Sequence, residues 1–206
     1  MTLDQWLAYL MASLVLILIP GPDTFLVAAW SAAKGFKAGI QAALGTVSGI
    51  LVHTAAATLG LSAILSSSAM AFTAVKIMGA LYLVYLGIKT IREGIASAPK
   101  NDVRNKRSNP FLQALLTNVL NPKVALFFLA FLPQFIDPSR AVENQLLALG
   151  TAFSILTTIY YVSLVFLAGK IARKMGQNVM VQTLAKWLGG LMMIGFGLRL
   201  ALASNR

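Results

Sequence analysis

The sequence of 206 residues contains no cysteine, one histidine and six carboxylates. The first absence excludes disulfides, thiolate metal sites and thiol-based redox relays. With so few imidazoles and carboxylates, a multi-ligand metal site is not expected, nor is any cofactor. Charge as a whole is also scarce. Charged residues make up 11% of the chain and hydrophobic ones 58%, where soluble domains carry about 25% and about 45–50%. Water is a poor solvent for such a chain, and a bilayer is the obvious alternative. Enzyme signatures are missing too: there is no H-E-x-x-H, no G-x-S-x-G and no spaced carboxylate pair. An enzyme is therefore not expected.

Long apolar runs are present instead. Crossing the ~30 Å core of a bilayer takes about 20 mostly apolar residues as helix. Six segments qualify, at about 5–33, 38–65, 69–92, 111–136, 144–169 and 180–203. The expected class is an all-α integral membrane protein with six transmembrane helices. The net charge of +11 sits at the ends of the apolar runs. That is the pattern of membrane topology, and no nucleic-acid partner is expected. The first segment has Asp4 where a signal peptide would be basic, and its apolar run is too long. It reads as a retained span. Lys76, Lys89, Lys186 and Arg199 lie near the ends of the third and sixth segments, where long side chains can reach the headgroups.

The stretch "IASAPKNDVRNKRSNP" (95–110) is polar and basic, and it divides the chain into 1–94 and 111–206. Its charge places it in the cytoplasm, which puts both termini outside. The two halves resemble each other. "TAVKIMGALYLVYLGIK" (73–89) and "TLAKWLGGLMMIGFGLR" (183–199) share Thr73/Thr183, Lys76/Lys186, Gly79/Gly189, Leu81/Leu191 and Gly87/Gly197, with Lys89 replaced by Arg199. "LGTVSG" (44–49) matches "LGTAFS" (149–154), and "GPD" (21–23) matches "NPK" (121–123). Three spans per half is an odd number, so the halves form two inverted three-helix repeats within one membrane domain.

The first and fourth spans are interrupted in corresponding places. Pro20, Gly21 and Pro22 precede Asp23, and Asn121 and Pro122 precede Lys123. Proline removes a backbone N–H and clashes with the carbonyl four residues back. An unbonded backbone group in hydrocarbon costs several kcal/mol, so both breaks should face inward. A charge near the bilayer centre costs about 2.5–3.5 kcal/mol. Asp23 and Lys123 therefore either pair with each other or bind a zwitterion. In the second case Asp23 faces an ammonium, and Lys123, with Asn118 and Asn121, faces a carboxylate. Gly21 and Pro22 complete the candidate substrate site. Asn118 and Asn121 are three apart and share a helix face, although asparagine also suits a helix break. In the second span Gln41, Gly45, Gly49 and His53 form a stripe in which two glycines allow close helix approach. His53 could relay a proton or simply be hydrogen-bonded in the bundle. Thr157, Thr158, Tyr160 and Tyr161 are either interhelical glue or pocket lining. Gln41, His53, Thr157 and Tyr161 are the candidate cavity-lining residues.

At these positions the chain resembles the LysE/RhtB superfamily of exporters. The resemblance rests on "PGPD" in the first span, G-x-x-x-G in the second, "MGALYLVYLGIK" in the third, "NPFLQALLTNVLNPKVALFFLAFLPQFI" opening the second half and "KWLGGLMMIGFGLRLAL" at its end. It implies export of amino acids or their derivatives across the bacterial inner membrane by proton antiport, of the homoserine/threonine efflux type. It carries over Pro20, Gly21, Pro22 and Asp23, then Asn121, Pro122 and Lys123. The lack of cysteine disfavours the superfamily's metal-exporting and thiol-redox branches. The implied partners are an amino-acid substrate, protons and the lipid bilayer, with a homo-oligomer left open. Asp23 is the candidate for proton coupling, because a carboxylate can alternate between charged and neutral as its surroundings change. The alternative is a channel-like or passive membrane protein without proton coupling.

Overall fold

A computed structural model describes residues 2–67, 109–137 and 140–175, together with isolated residues between 74 and 92 and between 183 and 198. Half of the third expected span, and most of the sixth and of the 95–110 linker, lie outside the described residues. So do Lys76, Gly79, Lys186, Gly189, Gly197 and Arg199. The described elements are helical: α1 (Leu3–Leu18), α2 (Pro22–Lys34), α3 (Phe36–Ser67), α4 (Pro110–Val119), α5 (Pro122–Leu126) and α6 (Val142–Met175). From α5 the chain runs on as a π-helical turn, Phe127–Phe131, and a 3-10 turn, Leu132–Phe135.

Local chemistry sets these boundaries. Thr2 and Gln5 form a capping box at the start of α1: Gln5 N donates to Thr2 Oγ1, and Thr2 N donates to Gln5 Oε1. The helix stops at Leu18, just short of Pro20. Gly21 caps α2, and Pro22 takes its first position, where a missing N–H is no loss. The axes of α1 and α2 differ by 55°. Gly35, at φ 83°, closes α2 and turns the chain directly into α3. In the second half Asn109 Oδ1 accepts from Phe111 N and Leu112 N to start α4. Asn121 Oδ1 accepts from Lys123 N to start α5, and the two segments are bent by 46°.

Two stretches, Phe36–Gly60 and Val142–Leu167, are long and apolar enough to cross a membrane unaided. Each bent pair adds one more if it is counted as a single span. The described residues thus supply two straight and two broken candidate spans. Gly87 and Gly190 lie backbone to backbone, which sets the third expected segment against the sixth.

The core has two parts. Tyr9, Phe127, Phe128, Phe131, Phe135 and Phe153 gather between α1, the π-helical turn and α6. Leu26, Val27, Trp30, Ala42, Ala114 and Tyr161 join α2, α3, α4 and α6. Glycine sets the closest approach. Gly45 on α3 lies against the Phe111 carbonyl, Gly49 against the Asn118 side chain, and Gly150 on α6 against Thr54. A methyl group at Gly45 would overlap main chain, which cannot rotate away. Gly45→Ala should lower stability by about 1–3 kcal/mol, the usual cost of overpacking. Gly60 faces open space, so Gly60→Ala should leave the thermal midpoint in detergent close to wild type. Equal midpoints for the two variants would contradict this packing.

Candidate functional site

The two breaks meet, and the second supplies side chains that hold both the free carbonyls and the carboxylate of the first. In a helix the Leu16 carbonyl would accept from the N–H of residue 20, but residue 20 is proline. Ile19 closes α1 in an extended conformation and leaves its carbonyl free of the helix as well. Lys123, on α5 of the other half, donates from Nζ to both carbonyls at 2.8 Å. Its ammonium thereby stands at the negative end of the α1 dipole.

The converse arrangement holds Asp23. This residue is the second of α2 and is only 4% exposed. Its Oδ2 accepts from Asn118 Nδ2 at 2.9 Å and from Asn121 Nδ2 at 2.8 Å. Asn118 lies in the last turn of α4 and Asn121 caps α5, so both donors come from the second break. Asp23 and Lys123 form no direct ion pair. Each is held by hydrogen bonds within this crossing, and the two opposite charges also favour one another from beyond ion-pair distance.

A cavity of about 30 Å³ lies at the crossing. Its polar lining includes Gly21, Asp23, Thr24, Asn118, Asn121, Lys123, Thr157 and Tyr161. Its apolar lining includes Ile17, Ile50, Val124 and Phe153. That volume holds a water or two, since one needs about 10–15 Å³ on this measure. An amino acid would require the cavity to widen. Among the described residues, the buried oxygens Asp23 Oδ1 and Thr157 Oγ1 have no hydrogen-bond partner. Buried polar atoms are rarely left so. Asn118 Oδ1 is also unpartnered, and it packs against Gly49. Thr24 of α2 and Tyr161 of α6 both line the cavity, so the two helices meet beside Asp23.

The structure sorts the sequence candidates. Gly21, Asp23, Asn118, Asn121, Lys123, Thr157 and Tyr161 come together at the cavity. Pro20, Pro22 and Pro122 create the breaks around it. Pro22 is not part of its wall. Gln41 does not belong there either: it is exposed on α3, away from the cavity. A four-residue step advances about 40° beyond a full turn, so three such steps carry Gln41 well off the His53 face. His53 is half-buried and does not line the cavity. Its Nε2 lies 3.1 Å from the Asn118 carbonyl, and its ring stacks on Phe128. Asn118 and Asn121 converge for a reason other than a shared helix face. Asn121 lies beyond the end of α4, and the turn of the chain brings its amide back to Asp23. Both amides serve the carboxylate rather than a site beside Lys123. The residues that sequence reasoning missed are Leu16 and Ile19, which act through their carbonyls, and the lining residues Ile17, Thr24, Ile50, Val124 and Phe153. Counting four back from Pro20 would have found Leu16.

Comparison with known proteins gives a consistent result. The profile of the LysE type translocator family matches residues 14–204. The chain is 32% identical over 211 residues to the uncharacterized membrane protein YrhP of Bacillus subtilis, covering 96% of this chain and 98% of that one. It is 33% identical over 205 residues to an uncharacterized membrane protein of Vibrio cholerae, covering 98% and 99%. With the leucine efflux protein of Salmonella typhimurium it shares 31% identity over 206 residues, covering 97% and 95%. No solved structure matches.

Proposed function

The chain belongs to the LysE type translocator family, and from that premise we propose that it exports neutral amino acids from the bacterial cytoplasm by proton antiport. The observation that carries this reading is a cavity lined by both Asp23 and Lys123, with the buried Asp23 Oδ1 lacking a partner among the described residues. A zwitterion complements such a pair. Its ammonium would meet Asp23, and its carboxylate would meet Lys123 in charge-assisted hydrogen bonds. Protonation of Asp23 would remove the charge that holds the ammonium and so couple release to proton entry.

The apolar wall of Ile17, Ile50, Val124 and Phe153 suits an aliphatic side chain, and relatives named leucine efflux proteins agree with that choice. A second reading, homoserine or threonine, draws on the hydroxyls of Thr24 and Thr157 in the same lining. The accompanying architecture is two inverted repeats, 1–94 and 111–206, joined by the basic 95–110 segment on the cytoplasmic side of the inner membrane, with both termini outside. Broken helices in corresponding positions and a site where they cross are what alternating access uses.

Uptake into inverted vesicles with an acidic lumen tests the proposal, using leucine, threonine, homoserine and lysine. Saturable accumulation of leucine is expected, with lysine excluded and an uncoupler abolishing the gradient. Non-saturating flux indifferent to the pH gradient would support the channel instead. A flat response to every zwitterion would remove the assigned site.

A further inference from the structure

The Asn118 carbonyl stands in the second break where the Leu16 carbonyl stands in the first. Its helical donor would be the N–H of residue 122, which is proline. One lone pair is taken by Asn121 N at 2.9 Å. The other faces His53 Nε2 on α3, at 3.1 Å. A carbonyl can only accept, so Nε2 must carry the proton. The face of the same ring stacks on Phe128, with centroids 5.8 Å apart and planes inclined by 28°. Phe128 belongs to the π-helical turn beyond the bend. Such turns are irregular and are held by their surroundings. One side chain thus grips both sides of the break: the end of α4 by a hydrogen bond and the π-helical turn by stacking. It does so from outside the cavity.

We propose that His53 is a positioning residue for the transport site. Its Nε2–H fixes the Asn118 peptide, which aims the Asn118 amide at Asp23 Oδ2. Gly49, one turn away on α3, lets Asn118 approach closely enough for this. The role matches that of Lys123 at the first break, except that the donor comes from α3.

Two measurements test it, and only the second rests on the export reading. His53 is the sole histidine, so protein labelled with 15N-histidine and purified through a histidine-free tag gives one imidazole spectrum. A protonated Nε2, slow to exchange with solvent, is expected. A bare Nε2 would overturn the proposal, whether or not any amino acid is transported. In transport, His53→Phe keeps the ring on Phe128 but loses the donor. KM should rise about 10-fold, the equivalent of one hydrogen bond, with kcat much less affected. His53→Gln places an amide N–H near the Nε2 position and should bring KM back to within about 3-fold of wild type. An unchanged KM in His53→Phe, or a His53→Gln variant as impaired as His53→Phe, would overturn the positioning role. If His53→Phe does not fold, the spectrum of the wild-type chain still decides whether the donor exists.

Discussion

Asp23→Asn should reduce gradient-driven export by at least about 100-fold, or about 2.7 kcal/mol, while the protein stays folded. The two side chains are nearly the same shape, so packing around α2 is kept. The hydrogen-bonding logic is reversed. Asp23 Oδ2 accepts from two amides and Oδ1 is the spare acceptor on the cavity. An asparagine must turn its NH₂ one way or the other. Towards Asn118 and Asn121, it sets donor against donor. Towards the cavity, it offers a donor to an ammonium that has only donors. Losing one partner of a buried, hydrogen-bonded charge pair typically costs about 2–5 kcal/mol, which brackets the expected fall. The variant also cannot pick up and release a proton. Initial rates and proton flux in proteoliposomes measure both effects. Export against a gradient with unchanged proton flux would remove Asp23 from the coupling step.

Lys123→Met should do most of its damage to the fold. Methionine fills a similar volume but leaves the Leu16 and Ile19 carbonyls without the donor that now bonds both at 2.8 Å. Each lost charge-assisted bond is worth about 1.5–3 kcal/mol. Together they imply a loss of about 3–6 kcal/mol, with Asp23 left as an unbalanced buried charge. At about 2–4 °C per kcal/mol for a chain of this size, the thermal midpoint in detergent should fall by about 6–24 °C. Lys123→Arg keeps the charge and the donors, although its fork has a different geometry. It should recover most of that midpoint and less of the transport. A wild-type midpoint for Lys123→Met would mean that the α1 carbonyls do not need the ammonium. The two charges of the site are therefore expected to separate by assay, Asp23 by transport and Lys123 by stability.

Much of this arrangement is written in side chains whose chemistry is local. Pro20, Pro22 and Pro122 announce the two bends because a missing N–H cannot be compensated within the helix. Gly45 and Gly49 announce the α3–α4 contact because nothing larger fits there. Asp23 and Lys123 stand out because hydrocarbon tolerates a charge only where something holds it. The sequence says little where the partner is main chain. Ile19 reads as an ordinary apolar residue, and the free Leu16 carbonyl is marked only indirectly, by the proline four residues on. The direction in which Asn118 and Asn121 point depends on how two helices cross, which spacing along one helix does not encode. Gln41 shows the opposite failure, a plausible spacing extended over too many turns. The π-helical turn at "FFLAF" has no composition signal. Its Phe127, Phe128 and Phe131 pack in one cluster with Tyr9 and Phe153, residues distant in the chain.

The crossed capping also constrains how such a site can originate. Free carbonyls at one break call for a cation, while amide donors at the other call for an anion. Two identical copies of a half, assembled head to tail, would present the same sign at both breaks and leave one kind of group unanswered. Opposite signs require halves that can diverge, either in two genes or along one polypeptide. Fusion into a single chain would then guarantee that each half always meets its unlike complement, in equal number and never with its own kind.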